Sequence, residues 1–196
     1  MKRIVVALTG ASGIIYGKKL IEVLVEKSYN MEIIYTEHAN LVSKLEEGVS
    51  LEEFLVGISK KHSDKIKIYK EKDFMSPLAS SSNIGDAMVI VPCSVKTLSQ
   101  ISYGISDNLV VRAALAFLRM KKKLVVVPRE TPLGLIELNA MVELAKAGAI
   151  ILPAMPAFYH KPKGIDDIVN FIVGKILDAL GIENDLYERW GKENSF

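Results

Sequence analysis

The sequence predicts an α/β fold in three layers, a single domain built on a doubly wound parallel sheet with helices on both faces. Two observations carry that prediction. Residues 4–8, 87–91 and 124–127 are short, wholly apolar runs, as parallel strands covered on both faces require. Between them, apolar residues recur at helical spacing, so strand and helix alternate along the chain. With 196 residues, 49% hydrophobic and 24% charged, the chain is long enough to bury a sizeable core.

In order, residues 3–8 form the first strand. Residues 13–27 form a helix whose apolar stripe is Ile14, Ile15, Leu20, Ile21, Leu24 and Val25. Residues 31–35 are the second strand, with Thr36, Glu37 and His38 at its C-terminal end, where parallel sheets bind ligands. Short helices follow over 39–46 and 51–59, then an edge strand over 66–69. Residues 73–83 are polar, small and aperiodic, with four serines, and read as a loop. That loop is a flexible connection, or a lid or ring of hydroxyls around a ligand. The strand over 87–91 runs into Pro92-Cys93-Ser94-Val95-Lys96-Thr97, a second strand-to-helix turn. A helix over 108–117, a strand over 124–127, a helix over 136–147, a strand over 149–152 and a helix over 165–180 complete the pattern. Residues 1–182 form the domain and residues 183–196 a C-terminal tail that carries Trp190, the only tryptophan.

Chemistry gathers at the strand ends. Thr9-Gly10-Ala11-Ser12-Gly13 follows the first strand and opens a helix, the geometry that turns backbone N–H groups toward a phosphate. Gly10 and Gly13 allow positive φ and close approach, and Ser12 supplies a hydroxyl at the expected N-cap. A tight turn with a cap and no ligand has the same local pattern. The motif lacks both G-x-G-x-x-G and the G-K-[ST] ending of a P-loop, so a mononucleotide such as FMN suits it better than NAD or ATP. Ser94, Lys96 and Thr97 fit polar contacts to a flavin ring or phosphate, although Ser94 alone would explain a capped helix. Pro128-Arg129-Glu130 places a cation and a carboxylate at the end of a buried strand, which packing alone does not favour.

Other features narrow the function. A net charge of +2 gives no general argument for nucleic acid, and the cluster Arg119, Lys121, Lys122 and Lys123 reads first as a solvated helix end. Cys93, the only cysteine, leaves no disulfide framework or cysteine zinc site and reads as a packed, inert thiol. His38 and His62 read as solvated, and His160 as satisfying a backbone carbonyl. Only five apolar residues separate Met1-Lys2-Arg3 from Thr9, and no run approaches the ~20 apolar residues of a membrane span. A cytoplasmic protein without nucleic-acid or membrane partners is therefore expected.

Taken together, the motifs identify a family. The chain resembles the flavin prenyltransferases of the UbiX type through Thr9-Gly10-Ala11-Ser12-Gly13 with Tyr16-Gly17, Pro92-Cys93-Ser94-Val95-Lys96-Thr97-Leu98, and Asp107-Asn108-Leu109 with Arg112-Ala113. Val127-Pro128-Arg129-Glu130-Thr131-Pro132, Leu152-Pro153-Ala154 with Phe158-Tyr159-His160, and Arg189-Trp190-Gly191 complete the match in the same order. The resemblance implies a flavodoxin-like fold that binds FMN and uses no metal. It implies transfer of a dimethylallyl group from dimethylallyl phosphate to N5 and then C6 of reduced FMN, giving the prenylated FMN that a UbiD-type decarboxylase uses. A homododecamer with sites at subunit interfaces is implied as well, the tail serving the oligomer or covering the site. By position, Gly10, Ala11, Ser12, Thr36, Ser94, Val95, Lys96, Thr97 and Arg129 would hold FMN. Arg119, Arg129, Glu130, Tyr159 and Lys175 would surround the prenyl phosphate, and Ser12, Glu46, Glu130 and Phe74 would serve the chemistry. Arg119 stands where a lysine is usual, Lys175 where many relatives carry arginine, Phe74 where a tryptophan can face the allyl cation, and Ser81 where glycine is common.

Two other functions suit the fold. An FMN-dependent decarboxylase of peptidyl-cysteine or phosphopantothenoylcysteine would carry a histidine shortly before the strand that ends at Pro92, and a P-x-M-N motif after the next strand. This chain has no histidine between His62 and His160 and reads Pro128-Arg129-Glu130 at the second place. A non-catalytic FMN module would explain the phosphate turn, but not Arg129, Glu130, Tyr159 and Lys175 together.

Overall fold

The computed structural model describes residues 3–191. Among these residues six strands form one sheet: β1 (Arg3–Leu8), β2 (Asn30–Tyr35), β3 (Ile66–Lys70), β4 (Ala87–Cys93), β5 (Lys123–Pro128) and β6 (Ile150–Ile151). Their spatial order is β3-β2-β1-β4-β5-β6 and every pairing is parallel. The helices are α1 (Ile14–Glu26), α2 (Glu37–Glu47), α3 (Leu51–Lys61), α4 (Val95–Tyr103), α5 (Leu109–Arg119), α6 (Leu135–Lys146) and α7 (Ile165–Leu180). This is the flavodoxin-like, doubly wound architecture the apolar runs predict, with β3 at one edge.

Strand alternation divides the core in two. Ile4, Val6 and Leu8, with Val89, Val91, Val125 and Val127, pack against α1, α3 and α7 on one face. Val5 and Ala7, with Met88, Ile90, Leu124 and Val126, pack against α4, α5 and α6 on the other. The period-two arrangement of a pleated strand is the cause. Between Ile90 and Cys93 the β4–β5 register shifts, and Cys93 joins the second core with its thiol fully buried. Burial pushes that thiol's pKa well above the ordinary value, in keeping with an inert packed cysteine.

The serine-rich segment is better ordered than a flexible connection. It contains two short 3₁₀ turns, Pro77–Ala79 and Ser81–Asn83, and Leu78 is wholly buried in the second core. The hydroxyls of Ser76 and Ser80 cap these turns by accepting from the Leu78 and Ser82 amides. Arg112 Nε donates to Ala79 O at 2.8 Å, and Arg3 Nη2 donates to the carbonyls of Asn83 and Ile84 at 2.8 Å each. No helix among the described residues is long and apolar enough to cross a membrane.

Candidate active site

β1 and β4 are neighbours at the centre of the sheet, and the helices that follow them leave toward opposite faces. A crevice must open above the carboxyl ends of strands so arranged. It measures about 310 Å³ and is lined by Thr9, Gly10, Ala11, Thr36, His38, Glu71, Ser94, Val95, Lys96, Thr97, Gln100, Asn108, Arg129 and Glu130. A larger hollow of about 610 Å³ lies between α1 and α7, away from the strand ends, and none of the residues nominated from sequence lines it.

The crevice wall is built from cross-links between strand ends. Thr9 is wholly buried. Its hydroxyl donates to Pro92 O at 2.8 Å and accepts from the Ser94 amide at 2.8 Å, binding the first turn to the second. Gly10 passes so close to α2 that a Cβ there would stand 2.4 Å from His38 Cβ, so only glycine fits without moving the helix. Thr36 caps α2, its hydroxyl accepting from the Ala39 amide at 3.0 Å. Ser94 Oγ accepts from the Thr97 amide at 3.3 Å and lies 3.1 Å from Thr97 Oγ1. The first turn of α4, with Lys96 on it, therefore opens onto the crevice with a helix's intrinsic preference for an anion. Arg129 is fixed from two sides, its amide donating to Cys93 O at 3.3 Å and its Nε to Ser12 O at 3.2 Å. Glu130 Oε1 accepts from the Thr131 amide at 3.0 Å.

At the start of α1 the structure corrects the expected cap. Gly13, with φ of 97°, is the N-cap, and Ser12 makes no capping bond. The carboxylate of Glu46, at the end of α2, takes the cap position instead. It accepts from the Gly13 amide at 3.0 and 3.1 Å and from the Ile14 amide at 3.2 Å. A left-handed Gly13 carries the Ser12 side chain out of line with the first turn, where it is exposed, and a charged acceptor satisfies the free donors better than a hydroxyl. Burial first, and the Glu46 charge second, raise the pKa of the nearby Tyr16 phenol.

One chain thus gathers Gly10, Ala11, Thr36, Ser94, Val95, Lys96, Thr97, Arg129 and Glu130 in the crevice, with Ser12 and Glu46 at its rim. It does not bring in the other nominated residues. Phe74 lies exposed on the serine-rich segment. Tyr159 and Lys175 belong to an aromatic cluster on α7. Tyr159 meets Phe171 and Trp190 edge-on, and Lys175 Nζ lies over the Phe171 and Tyr187 rings. Arg119 ends α5, whose cap Asn108 lies in the crevice and which runs about 16 Å, at 1.5 Å per residue, toward the amino-terminal ends of the strands, where β5 begins. Three crevice residues, Glu71, Gln100 and Asn108, were not nominated for the site from sequence, and His38, placed at a ligand-binding strand end but read as solvated, lines the crevice too. Applying the strand-end rule to β3 would have found Glu71, and the required closeness of Gly10 to α2 accounts for His38. His160 stacks on Phe171 at 5.1 Å, and both ring nitrogens are buried without a hydrogen bond, so it does not satisfy the carbonyl expected for it.

The fold and the crevice at its switch point define a flavodoxin-like α/β protein built to hold a phosphate-bearing ligand at its central strand ends. The family model described as Flavoprotein matches residues 1–177. The flavin prenyltransferase UbiX of Methanocaldococcus jannaschii is 47% identical over 189 residues, 96% of this chain and 98% of that protein. A crystal structure of AnUbiX in complex with FMN and dimethylallyl pyrophosphate superposes with a TM-score of 0.90 at 34% identity, covering 97% of this chain and 98% of that one. A dodecameric FMN-dependent UbiX-like decarboxylase from Escherichia coli O157:H7 superposes at 0.88 with 34% identity, covering 97% and 100%. The peptidyl-cysteine decarboxylase EpiD shares only the fold, at 14% identity and a TM-score of 0.57 over 80% of this chain and 83% of its own. The chain belongs to the UbiX family of flavin prenyltransferases.

The Thr9 cross-link makes a direct prediction. Thr9→Val keeps the shape but leaves the Ser94 amide without its acceptor, which should destabilise the fold by about 1–3 kcal/mol. A denaturant midpoint reads that loss, and hydrogen exchange should show the Ser94 amide newly exposed to exchange. Unchanged protection of that amide would mean the bridge does not hold the two turns together.

Proposed function

We propose that this chain prenylates reduced FMN, taking a dimethylallyl group from dimethylallyl phosphate and placing it on N5 and C6 to make prenylated FMN. The observation that carries this reading is the convergence of the glycine turn, the Ser94–Thr97 turn and the Arg129–Glu130 pair on one crevice. Their donors suit FMN: backbone amides at two turns, the Ser94 and Thr97 hydroxyls, and the cations of Lys96 and Arg129. When bound, reduced FMN supplies the nucleophilic nitrogen and carbon.

The chain's own groups bind and guide. Lys96 and the start of α4 offer positive potential to an anion. Arg129, with Nε on Ser12 O, keeps its terminal nitrogens free to meet the leaving phosphate. Glu130 has one oxygen on the Thr131 amide, which leaves the other to accept a proton from the prenylated centre. Tyr159 and Lys175 add a hydroxyl and a cation for the prenyl phosphate, and Phe74 an aromatic face for the allyl cation. Prenylated FMN then passes to a UbiD-type decarboxylase in the cytoplasm.

Because one chain leaves Arg119, Tyr159, Lys175 and Phe74 outside the crevice, the complete site forms between copies in a closed homo-oligomer, a dodecamer by analogy. An apolar surface supports this. Leu135, Ile136, Leu138 and Val142 on α6, with Met155 and Phe158, are exposed close in sequence to the strand ends that carry Arg129 and Tyr159. The mean hydropathy of +0.24 accords with surface that other copies cover.

Two tests follow. Losing one charge-assisted phosphate contact removes roughly ten- to a hundred-fold in substrate use. Lys175→Ala should therefore weaken use of dimethylallyl phosphate by that factor and leave FMN content near wild type. Glu130→Gln should keep both ligands and lose turnover. Flavin content and single-turnover prenylation decide both, and loss of FMN from Lys175→Ala, or normal turnover of Glu130→Gln, contradicts the roles. Interface sites make a further prediction. Arg119→Ala and Arg129→Ala chains, each inactive alone, should regain activity when co-expressed, because some hybrid sites draw an intact residue from each chain. Light scattering should show a large assembly throughout. No recovery in a confirmed mixed assembly would place Arg119 outside the neighbouring site.

A further inference from the structure

Near the C-terminal end of α7, one carboxylate gathers the chain's last described segment. Asp178 Oδ1 accepts from Arg189 Nη2 at 2.7 Å and Asn184 Nδ2 at 2.9 Å. Its Oδ2 accepts from the Tyr187 hydroxyl at 2.6 Å and Arg189 Nη1 at 3.0 Å. The guanidinium thus grips the carboxylate as a two-pronged fork, the strongest arrangement open to such a pair. Gly181 ends α7 in the left-handed conformation, with φ of 78°, and the chain turns back along the helix. Gly174 makes room for that return, since a Cβ there would stand 2.4 Å from the Tyr187 ring.

The clamp acts on two side chains nominated for the prenyl phosphate. Tyr187, held by Asp178, lies with its ring centre 4.8 Å from Lys175 Nζ, and Phe171 lies 5.5 Å from the same nitrogen. Trp190, next to the gripped Arg189, meets Tyr159 edge-on at 5.2 Å. Lysine is a flexible point charge with many rotamers, so a pair of aromatic faces restricts its ammonium far more than solvent would. We infer that Asp178 is a positioning residue for prenyl-phosphate binding: it folds residues 182–190 onto α7, so that Tyr187 holds Lys175 and Trp190 holds Tyr159. This rests on the reading that Lys175 and Tyr159 contact that phosphate.

The test compares Asp178→Asn and Asp178→Glu with Lys175→Ala and Tyr159→Phe in the assembled, FMN-loaded enzyme. Asp178→Asn should raise KM for dimethylallyl phosphate by about ten-fold, the scale of a lost cation–π restraint, and leave FMN content and kcat near wild type. Asp178→Glu keeps the charge and should restore part of the loss. Trp190 is the only tryptophan, so its fluorescence anisotropy reports the tail, and it should fall in Asp178→Asn. If Asp178→Asn does not fold, Arg189→Gln removes the fork from the other side and should shift KM the same way. An unchanged KM with a loosened Trp190 overturns the inference, and so does a parallel loss of FMN, kcat and thermal stability, which marks a purely structural clamp. If Lys175→Ala and Tyr159→Phe themselves leave KM unchanged, the phosphate reading falls and takes the inference with it. If they raise KM and Asp178→Asn does not, only the positioning role fails.

Discussion

The site depends first on the buried hydroxyl of Thr9. The switch point of a doubly wound sheet opens a crevice by topology alone, but it does not fix the distance between the two turns that line it. Thr9, on the first turn, does so with both bonds of its hydroxyl, donating to the Pro92 carbonyl and accepting from the Ser94 amide of the second. With Gly10 packed against α2 and the Arg129 amide on Cys93 O, three strand ends become one rigid wall. Such a wall can hold a planar ligand in one orientation, because its groups sit on strand ends and first helical turns and not on long loops.

That wall uses two helix starts differently. The N-terminus of α1 is capped by the protein's own carboxylate, Glu46, which ties α2 to the glycine turn. The N-terminus of α4, capped only by its Ser94 hydroxyl, keeps its positive potential for a ligand. The groups proposed for the second substrate are placed otherwise. Lys175 lies on a helix against aromatic rings, Tyr159 follows the last strand, and Arg119 lies at the end of α5 away from the crevice. On the proposed roles, this division means rigid binding of one partner and assembly-dependent binding of the other. Dimethylallyl phosphate would then meet a complete set of cations only where copies join.

The sequence made the fold legible because the information was local. Apolar runs located the strands and helical spacing placed α7 at the residues observed. The last strand is shorter than expected, Ile150–Ile151 in place of 149–152, although the Leu152 and Ala154 amides still donate to the Val126 and Pro128 carbonyls of β5. Most of the crevice was legible too, since Gly10, Thr36, Ser94 and Arg129 all stand at strand ends. What was missed is non-local. Propensity favoured Ser12 as the cap, and nothing near it announces Glu46, 33 residues beyond the Gly13 amide that it caps. His38 reads as solvated, and it is exposed, yet it also forms part of the crevice. No spacing could have joined Arg119, Tyr159 and Lys175, and only the family resemblance nominated them.

The mass of the flavin tests the central assignment most directly. Wild-type protein incubated without oxygen with reduced FMN and dimethylallyl phosphate should convert the flavin to a species heavier by one dimethylallyl unit, with one inorganic phosphate released for each flavin converted. Flavin of unchanged mass, recovered from protein that demonstrably binds FMN, would contradict prenyl transfer.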